Sequence, residues 1–182
     1  TILTVVALTT TISFAQAQFG IKAGFNNSAI GSSDSDVNEL ISSKSGMQFG
    51  GTAMFELSDA MQLRTGALYS QKGATLDFLG LMKIDMALDY LEVPVDFAFM
   101  LGDGGFALNG GPYFAFLMSA QQRYDGESQD MEDVSAMDIG LNFGASYTIA
   151  ESMIIDARYG MGLMNISSDS EDDVWLNGCA SV

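Results

Sequence analysis

The sequence has no histidine, one cysteine, two prolines and only seven basic residues among its 182. Without histidine, the chain cannot form a Ser-His-Asp or Cys-His catalytic group, or a metal site with histidine ligands. The single cysteine, Cys179, cannot form an intramolecular disulfide, so an exported chain of this kind must be stabilised by its fold. We therefore expect a protein that is not an enzyme and that uses no cofactor.

Positive charge is scarce: 23 acidic residues against seven basic ones give a formal net charge of -16. This balance disfavours nucleic acid and other polyanionic partners. Acidic residues concentrate in segments 32–36, 125–133 and 168–173. None of these segments has the spaced ligands and glycine of a defined calcium loop. We expect solvated acidic loops, with bridging by divalent cations as the alternative.

Long hydrophobic runs are also missing, although 48% of the residues are hydrophobic. No internal run reaches the 18 or so apolar residues that a membrane helix needs. The opening stretch, residues 1–17, is apolar and ends in Ala15-Gln16-Ala17, the small-x-small pattern that signal peptidase recognises. We interpret residues 1–17 as a partial signal peptide that is removed on export, and residues 18–182 as one domain.

A strict period of two runs through MDIGLNFGASYT, residues 137–148. Side chains on a strand alternate between its faces, so one face carries large apolar residues and the other glycine and short polar groups. About 10 tilted residues span a bilayer core, whereas strands of globular domains usually have about 5 to 6. Short polar side chains indicate an enclosed space. We predict that the apolar face contacts lipid and the polar face lines a lumen.

The same alternation recurs along the chain. The predicted strands are residues 18–26, 47–57, 61–71, 87–100, 106–119, 137–148, 153–166 and 174–182. Short connections alternate with long ones, as they do in outer-membrane barrels, of which eight strands make the smallest. The predicted fold is therefore all-β, an eight-stranded antiparallel up-and-down transmembrane β-barrel in the cell outer membrane. A soluble barrel of lipocalin type is the alternative.

Charged residues on the polar parity predict a structural ion-pair network in the lumen. An eight-stranded interior is only wide enough for side chains to fill, which disfavours a wide pore. A basic residue facing lipid at mid-bilayer costs about 2–4 kcal/mol, and an unpaired buried charge is also costly. The predicted members are Lys22, Glu56, Arg64, Glu92, Asp96, Asp138, Asp156 and Arg158. A ligand or proton path is the alternative.

Aromatic residues and prolines add two expectations. Aromatic residues near strand ends, among them Tyr90 and Tyr159, are typical of the girdles at membrane interfaces. Pro94 and Pro112 fall inside predicted strands, where each removes a backbone donor from the ladder. We therefore expect a β-bulge at each proline.

Five segments carry a family resemblance: FGIKAGFNNS, LRTGALYSQKGA, YLEVPVDFAF, NGGPYFAFL and DARYGMGLMNI, in that order. Together they resemble the PorT-type outer-membrane β-barrel proteins of Bacteroidetes, over about residues 18–182. The resemblance implies an eight-stranded outer-membrane barrel of mostly undefined role, whose name-giving member is linked to protein secretion. Members usually close on an aromatic residue, whereas this sequence stops at Val182, so we expect a shortened last strand.

We thus expect a small outer-membrane barrel with a lumen filled by side chains and acidic extracellular loops. Its role would be structural, adhesive, assembly-related or secretion-associated. Its partners would be outer-membrane lipid and a protein bound at the extracellular loops or periplasmic turns. The alternative is a barrel that binds a small ligand in its lumen or at its loop end. The large inward residues that would fill the lumen in the first case and line a pocket in the second are Leu68, Tyr113, Leu117 and Met164.

Overall fold

A computed structural model describes residues 17–32, 41–78, 82–124, 127–131, 133–149, 153–167 and 175–182. Residues 1–16 of the predicted signal peptide and the acidic segments 33–36 and 168–173 lie outside the described residues. The strands in chain order are β1 Ala17–Ser32, β2 Ile41–Ser58, β3 Met61–Phe78, β4 Met82–Met100, β5 Phe106–Tyr124, β6 Glu127–Asp130, β7 Met137–Ile149, β8 Met153–Gly162 and β9 Trp175–Ser181. No helix in the described part of the chain is long and apolar enough to cross a membrane.

Eight of the strands close into a ring in which each pair is antiparallel. Its order is β1-β2-β3-β4-β5-β7-β8-β9, and β9 pairs with β1 to complete it. The short strand β6 pairs only with the end of β5. Short connections join β2 to β3, β4 to β5 and β7 to β8 at one end, here called the turn end; the opposite end is the loop end. The prediction of an eight-stranded antiparallel up-and-down barrel is confirmed.

Alternate side chains of β7 face opposite environments, as the period of two predicted. Phe143 is 52% exposed, whereas its neighbour Asn142 is 4% exposed. Other strands show the same division, with exposed apolar side chains that include Phe19, Ile21, Phe25, Phe49, Leu91, Phe99, Leu108, Phe116, Tyr147, Ile155 and Tyr159. Soluble monomers rarely expose an apolar surface of this extent. An outward apolar band of this kind is a regular feature of membrane barrels.

Several strands are longer at the loop end than the sequence indicated. β2 begins at Ile41 and not at residue 47, and β3 continues to Phe78 and not only to residue 71. The outward positions of these extensions include polar residues, as at Ser45 of β2 and Thr75 of β3. Beyond the lipid, both faces of a strand can be polar, so the hydrophobic alternation stops although the backbone pairing continues. The hydrophobic pattern therefore predicted the part of each strand that has an apolar outer face and missed the polar extension of the strand.

The expected bulges at Pro94 and Pro112 are wrong. Residue pairs on both sides of each proline keep the same register offset. A missing N–H removes a hydrogen bond from the ladder but adds no residue, so the strands stay in register. The irregularity between β4 and β5 lies instead where Asp89 pairs with Ser119 and the next residue pairs with Leu117.

Candidate functional site in the barrel lumen

The lumen contains two groups of polar side chains at different heights. The first group, nearer the loop end, is here called the loop-side layer. Its members are Lys72 on β3, Tyr90 and Glu92 on β4, Tyr113 on β5, Asp138 on β7 and Asn177 on β9. All six residues are buried. Five strands therefore contribute to one cross-section of the barrel.

Lys72 is the only cation of this layer, and it is enclosed by compensating groups. Its Nζ lies 2.9 Å from Oε2 of Glu92, and these side chains are only 3% and 4% exposed. The same nitrogen lies 4.0 Å from Oδ2 of Asp138 and 4.3 Å from the ring centre of Tyr113, within cation–π range. The Tyr113 hydroxyl and Asn177 Nδ2 both donate to Asp138 Oδ2, at 3.0 and 3.1 Å. The buried charges are thus paired or hydrogen-bonded.

The bulk of the layer comes from aromatic and aliphatic side chains. The Tyr113 ring lies over Gly140, where an added Cβ would come within 2.5 Å of Cε1 of that ring. Only glycine therefore fits at residue 140 without a shift. Leu68 and Leu88 are also fully buried. Together with the two tyrosines, they close the lumen at this height.

The second group lies nearer the turn end and is here called the turn-side cluster. Its members are Lys22 on β1, Arg64 on β3, Asp96 on β4, and Asp156 and Arg158 on β8. Asp156 Oδ1 lies 2.5 Å from Lys22 Nζ and 2.9 Å from Arg158 Nε. Arg158 Nη1 lies 3.1 Å from Asp96 Oδ2. These contacts link three strands through one chain of ion pairs.

Arg64 differs from its neighbours in its partners. Its Nη1 donates to Ser146 Oγ at 2.8 Å, and its Nε and Nη2 donate to Gln62 Oε1 at 3.3 and 3.1 Å. Among the described residues it forms no ion pair. It borders a cavity of about 340 Å³ that Lys22 and Arg158 also line. The turn-side half of the lumen is therefore polar and partly open.

Seven of the eight residues predicted for the lumen network lie in one of these two groups. Glu92 and Asp138 belong to the loop-side layer, and five others form the turn-side cluster. Glu56 joins neither: it is exposed near the turn end, opposite Gln62, and forms no ion pair with a described residue. Its position, two residues before the end of β2, leaves it accessible to water.

Two lumen residues were missed or misplaced by the sequence reasoning. Lys72 was left out because the predicted third strand ended at residue 71, although the inward parity of Leu68 and Ser70 continues directly to it. Tyr90 was expected at a membrane interface, yet it is fully buried in the lumen. It shares the parity of Glu92, and that signal alone would have placed it inside.

Comparison with solved structures finds similar folds among bacterial proteins. The crystal structure of Neisserial surface protein A matches with a TM-score of 0.59 and 16% identity, covering 92% of this chain and 98% of that one. The crystal structure of Ail, the attachment invasion locus protein of Yersinia pestis, matches with a TM-score of 0.48 and 16% identity, covering 90% and 97%. At this identity the likeness concerns the fold.

Comparisons at the level of sequence identify a family for the chain but no individual curated relative. No curated protein sequence matches the chain closely enough to count as a relative. The family described as outer membrane protein beta-barrel domain matches residues 14–168, which is most of the chain. A closed eight-stranded ring, an apolar outer band and a polar lumen are the features such a barrel needs, and the chain belongs to this family.

Proposed function

We propose that the protein is a non-enzymatic outer-membrane barrel that is closed to solutes and acts through the surfaces it presents, in a structural, adhesive or assembly role. As a member of an outer-membrane barrel family, it contacts membrane lipid through its apolar band. The observation that carries the proposal is the loop-side layer. Its charged pair of Lys72 and Glu92 is almost completely buried, at a 2.9 Å separation.

Closure of the lumen follows from size and burial together. An eight-stranded barrel has an interior that side chains can fill, and two tyrosines and two leucines occupy this cross-section at 0–1% exposure. A water-filled path through this height would leave those side chains accessible. The layer therefore argues against a solute channel, and the surfaces outside the lumen become the candidates for function.

The loop end offers the larger of these surfaces. In barrels of this type short turns face the periplasm and long loops face the outside, which assigns the loop end to the cell surface. The strands β2 to β5 have 18 or 19 residues, well beyond the roughly 10 that cross the bilayer core. The additional residues of these strands support a polar extension of the barrel wall above the lipid. All four residues of β6 are exposed beside this extension.

The proposal also includes export by a signal peptide and membership of the PorT-type group of barrels. A removable signal peptide over residues 1–17 would deliver the chain to the outer membrane. The PorT-type resemblance of the five segments quoted above supports a place among Bacteroidetes barrels. A secretion-associated role rests on that resemblance alone, since the shared segments look like barrel-building features.

Planar-bilayer recording tests the closed lumen. The refolded protein, verified by heat-modifiable gel mobility, is expected to insert without producing conductance steps. Steady single-channel conductance of the wild-type protein would overturn the proposal. Protease treatment of intact cells tests the surface assignment: cleavage is expected within residues 125–133 and not at the turn of residues 58–60.

A second candidate function is binding of a small ligand in the lumen. One observation supports it, the cavity of about 340 Å³ beside the turn-side cluster. The loop-side layer separates this cavity from the loop end, and the lining also includes the outward-facing Ile21 of β1 and Ile155 of β8. A barrel can therefore be closed to passage and still bind a ligand on one side.

A further inference from the structure

We propose that a groove on the outer wall of the barrel binds the phosphate-bearing headgroup of a lipid in the outer leaflet. The groove has a volume of about 190 Å³ and is here called the outer-wall groove. Its lining includes Lys44 of β2, Gln71 of β3, Asp89 of β4, and Ser119, Gln121 and Arg123 of β5. The inference gives the lipid contact of the proposed function a specific site, and it rests on the assignment of the loop end to the cell surface.

Strand parity places the groove on the outside of the barrel. Both chain neighbours of Gln71 and of Asp89 are buried, and so is Ala120, which separates Ser119 from Gln121. Successive side chains of a strand point to opposite faces of the sheet. Since the buried neighbours face the lumen, these side chains of the groove face outward.

The groove lies just above the apolar outer band. One outward position closer to the turn end, Tyr69 of β3 packs against Phe49 of β2, with ring centroids 5.1 Å apart. On β4 the corresponding position holds the exposed Leu91. Aromatic side chains of membrane proteins concentrate at the interface between the hydrocarbon core and the headgroups. The groove, one step beyond this level, therefore lies at the height of lipid headgroups.

Two irregularities in the strand pairing border the groove. The described residues of β2 between 43 and 48 do not pair with β3. There β1 bonds to β3 instead: the Gly73 N–H donates to Ser28 Oγ at 2.8 Å, and Ser28 Oγ donates to the Gly73 carbonyl at 3.0 Å. On β5, Met118 is an extra residue between two residues that pair with consecutive residues of β4. Bulges bend a strand and re-aim its side chains, and here they border a recess in the wall.

Positive charge outside the lumen is concentrated at this groove. Four of the seven basic residues of the chain belong to the two lumen groups. The other three lie on the loop-end parts of β2, β4 and β5; they are Lys44, Lys83 and Arg123. Lys44 and Arg123 line the groove, where Asp89 is the only carboxylate among the lining residues. The groove therefore has an excess of positive charge in a chain whose net charge is -16.

Both cations retain donors for a phosphate group. Neither Lys44 nor Arg123 forms an ion pair with another described residue. Arg123 lies opposite Asp85 in the ladder, and the Asp85 carboxylate accepts from the Thr75 hydroxyl. Arginine binds phosphate oxygens through two parallel N–H groups, and lysine binds them as a point charge. Basic pockets at a membrane surface bind anionic headgroups in this way.

The border of the groove toward the turn end favours a lipid over a free anion. Met47 of β2 and Met118 of β5 lie there and are 54% and 63% exposed. Methionine is flexible and fits irregular apolar surfaces. A headgroup in the groove would leave its acyl chains against these side chains and the apolar band below them. The occupant is therefore an amphiphile that carries a phosphate.

Isothermal titration calorimetry of the refolded full chain in dodecyl maltoside micelles tests the inference. Mixed micelles supply dioleoyl phosphatidic acid; dioleoylglycerol is the probe without phosphate, and sodium phosphate is the probe without acyl chains. We expect saturable binding of phosphatidic acid only. Lys44→Gln and Arg123→Gln should each weaken it at least about tenfold, because charge-assisted hydrogen bonds are the strong ones. Lys83→Gln removes the same charge from the same part of the wall outside the groove lining, so it is the matched control and should bind like the wild type.

Several results would overturn the inference. No saturable binding of phosphatidic acid by the wild-type protein rejects the site, whatever the variants do. Equal binding of dioleoylglycerol rejects phosphate recognition, and sodium phosphate that binds as tightly as the lipid rejects a lipid as the occupant. Unchanged affinity in either folded groove variant, or an equal loss in Lys83→Gln, rejects the groove as the location. Micelles have no leaflets, so protease treatment of intact cells reports separately on the orientation, and the two failures are distinguishable.

Discussion

The loop-side layer and the turn-side cluster both consist of inward-facing side chains, and β3 and β4 contribute to both, yet the two groups compensate their enclosed charges differently. In the layer, one lysine lies between two carboxylates and under aromatic rings, with almost no exposure. In the cluster, Lys22 and Arg158 share two carboxylates, and both cations border a cavity together with Arg64. Lys22 and Asp156 keep 16% and 12% of their side-chain surface exposed. The alternation of apolar and polar side chains along the strands therefore does not determine whether the lumen is closed or open at a given height.

Side-chain bulk decides between the two outcomes. Tyr90 and Tyr113 occupy the width of the barrel at the layer, and Gly140 makes room for the second ring. At the cluster, the neutral lining includes Thr52 and Asn109, which are too short to reach across the lumen. The difference predicts that substitutions in the layer cost more stability than equivalent ones in the cluster.

The largest loss of unfolding free energy is expected for Lys72→Met. The substitution leaves Glu92 and Asp138 buried without their cation, and breaking a buried ion pair in this way costs about 3–5 kcal/mol. Urea-dependent unfolding of the barrel in lipid vesicles measures the loss. Adding Glu92→Met to the same variant should recover part of it, since one of the two unpaired charges is removed. A loss below about 1 kcal/mol for Lys72→Met would show that water reaches the layer.

A smaller loss is expected for Asp156→Asn in the turn-side cluster. The carboxylate contacts two cations, and hydrogen bonds to charged groups contribute about 1.5–3 kcal/mol each in net terms. Water that enters the cavity can solvate the released cations, so the loss should stay below that of Lys72→Met in the same unfolding experiment. A greater loss of unfolding free energy than that of Lys72→Met would contradict the expected difference between the two groups.

Two glycine substitutions compare packing without changing charge. Gly140→Ala places a Cβ against the Met161 carbonyl oxygen and the Tyr113 ring and should cost about 1–3 kcal/mol, as overpacking of a filled core does. Gly20→Ala, on the turn-side wall, meets only the Thr52 hydroxyl at 3.2 Å and should cost less. Unfolding midpoints in urea rank the two variants. Equal midpoints would mean that both heights of the lumen are packed alike.

The smallest effect is expected for Arg123→Gln, which sets the reference level for a charge outside the lumen. Arg123 is exposed and lies opposite Asp85 in the β4–β5 ladder. Exposed ion pairs contribute about 0–1 kcal/mol, so the unfolding free energy should fall by no more than that. A loss comparable to Lys72→Met would place Arg123 in an enclosed network.

The barrel could be predicted from the sequence because its pattern is local. A period of two in β7 specifies which side chains share a face, and the eight-stranded ring in the structure confirms the fold class. The polar extensions of β2 and β3 were missed because a strand above the lipid has no apolar face to detect. The missed Lys72 lies on such an extension, one residue past the predicted strand end.

The division of the lumen into two groups could not be predicted. Parity places Arg64 and Glu92 inside the barrel, but their heights depend on the register between strands, which the sequence does not specify. Whether a carboxylate meets one cation or two follows from that register, as it does for Asp156. The same holds for Glu56, whose parity is inward although its height leaves it in water.

Quenching of tryptophan fluorescence by lipids with brominated acyl chains tests the central claim most directly. In a Trp175→Phe background, Phe143→Trp and Tyr113→Trp place single reporters on the outer band and in the lumen. We predict strong quenching at residue 143 and little at residue 113, with folding of both variants verified by heat-modifiable mobility. Strong quenching at residue 113 with none at residue 143 would contradict the assignment of the two faces.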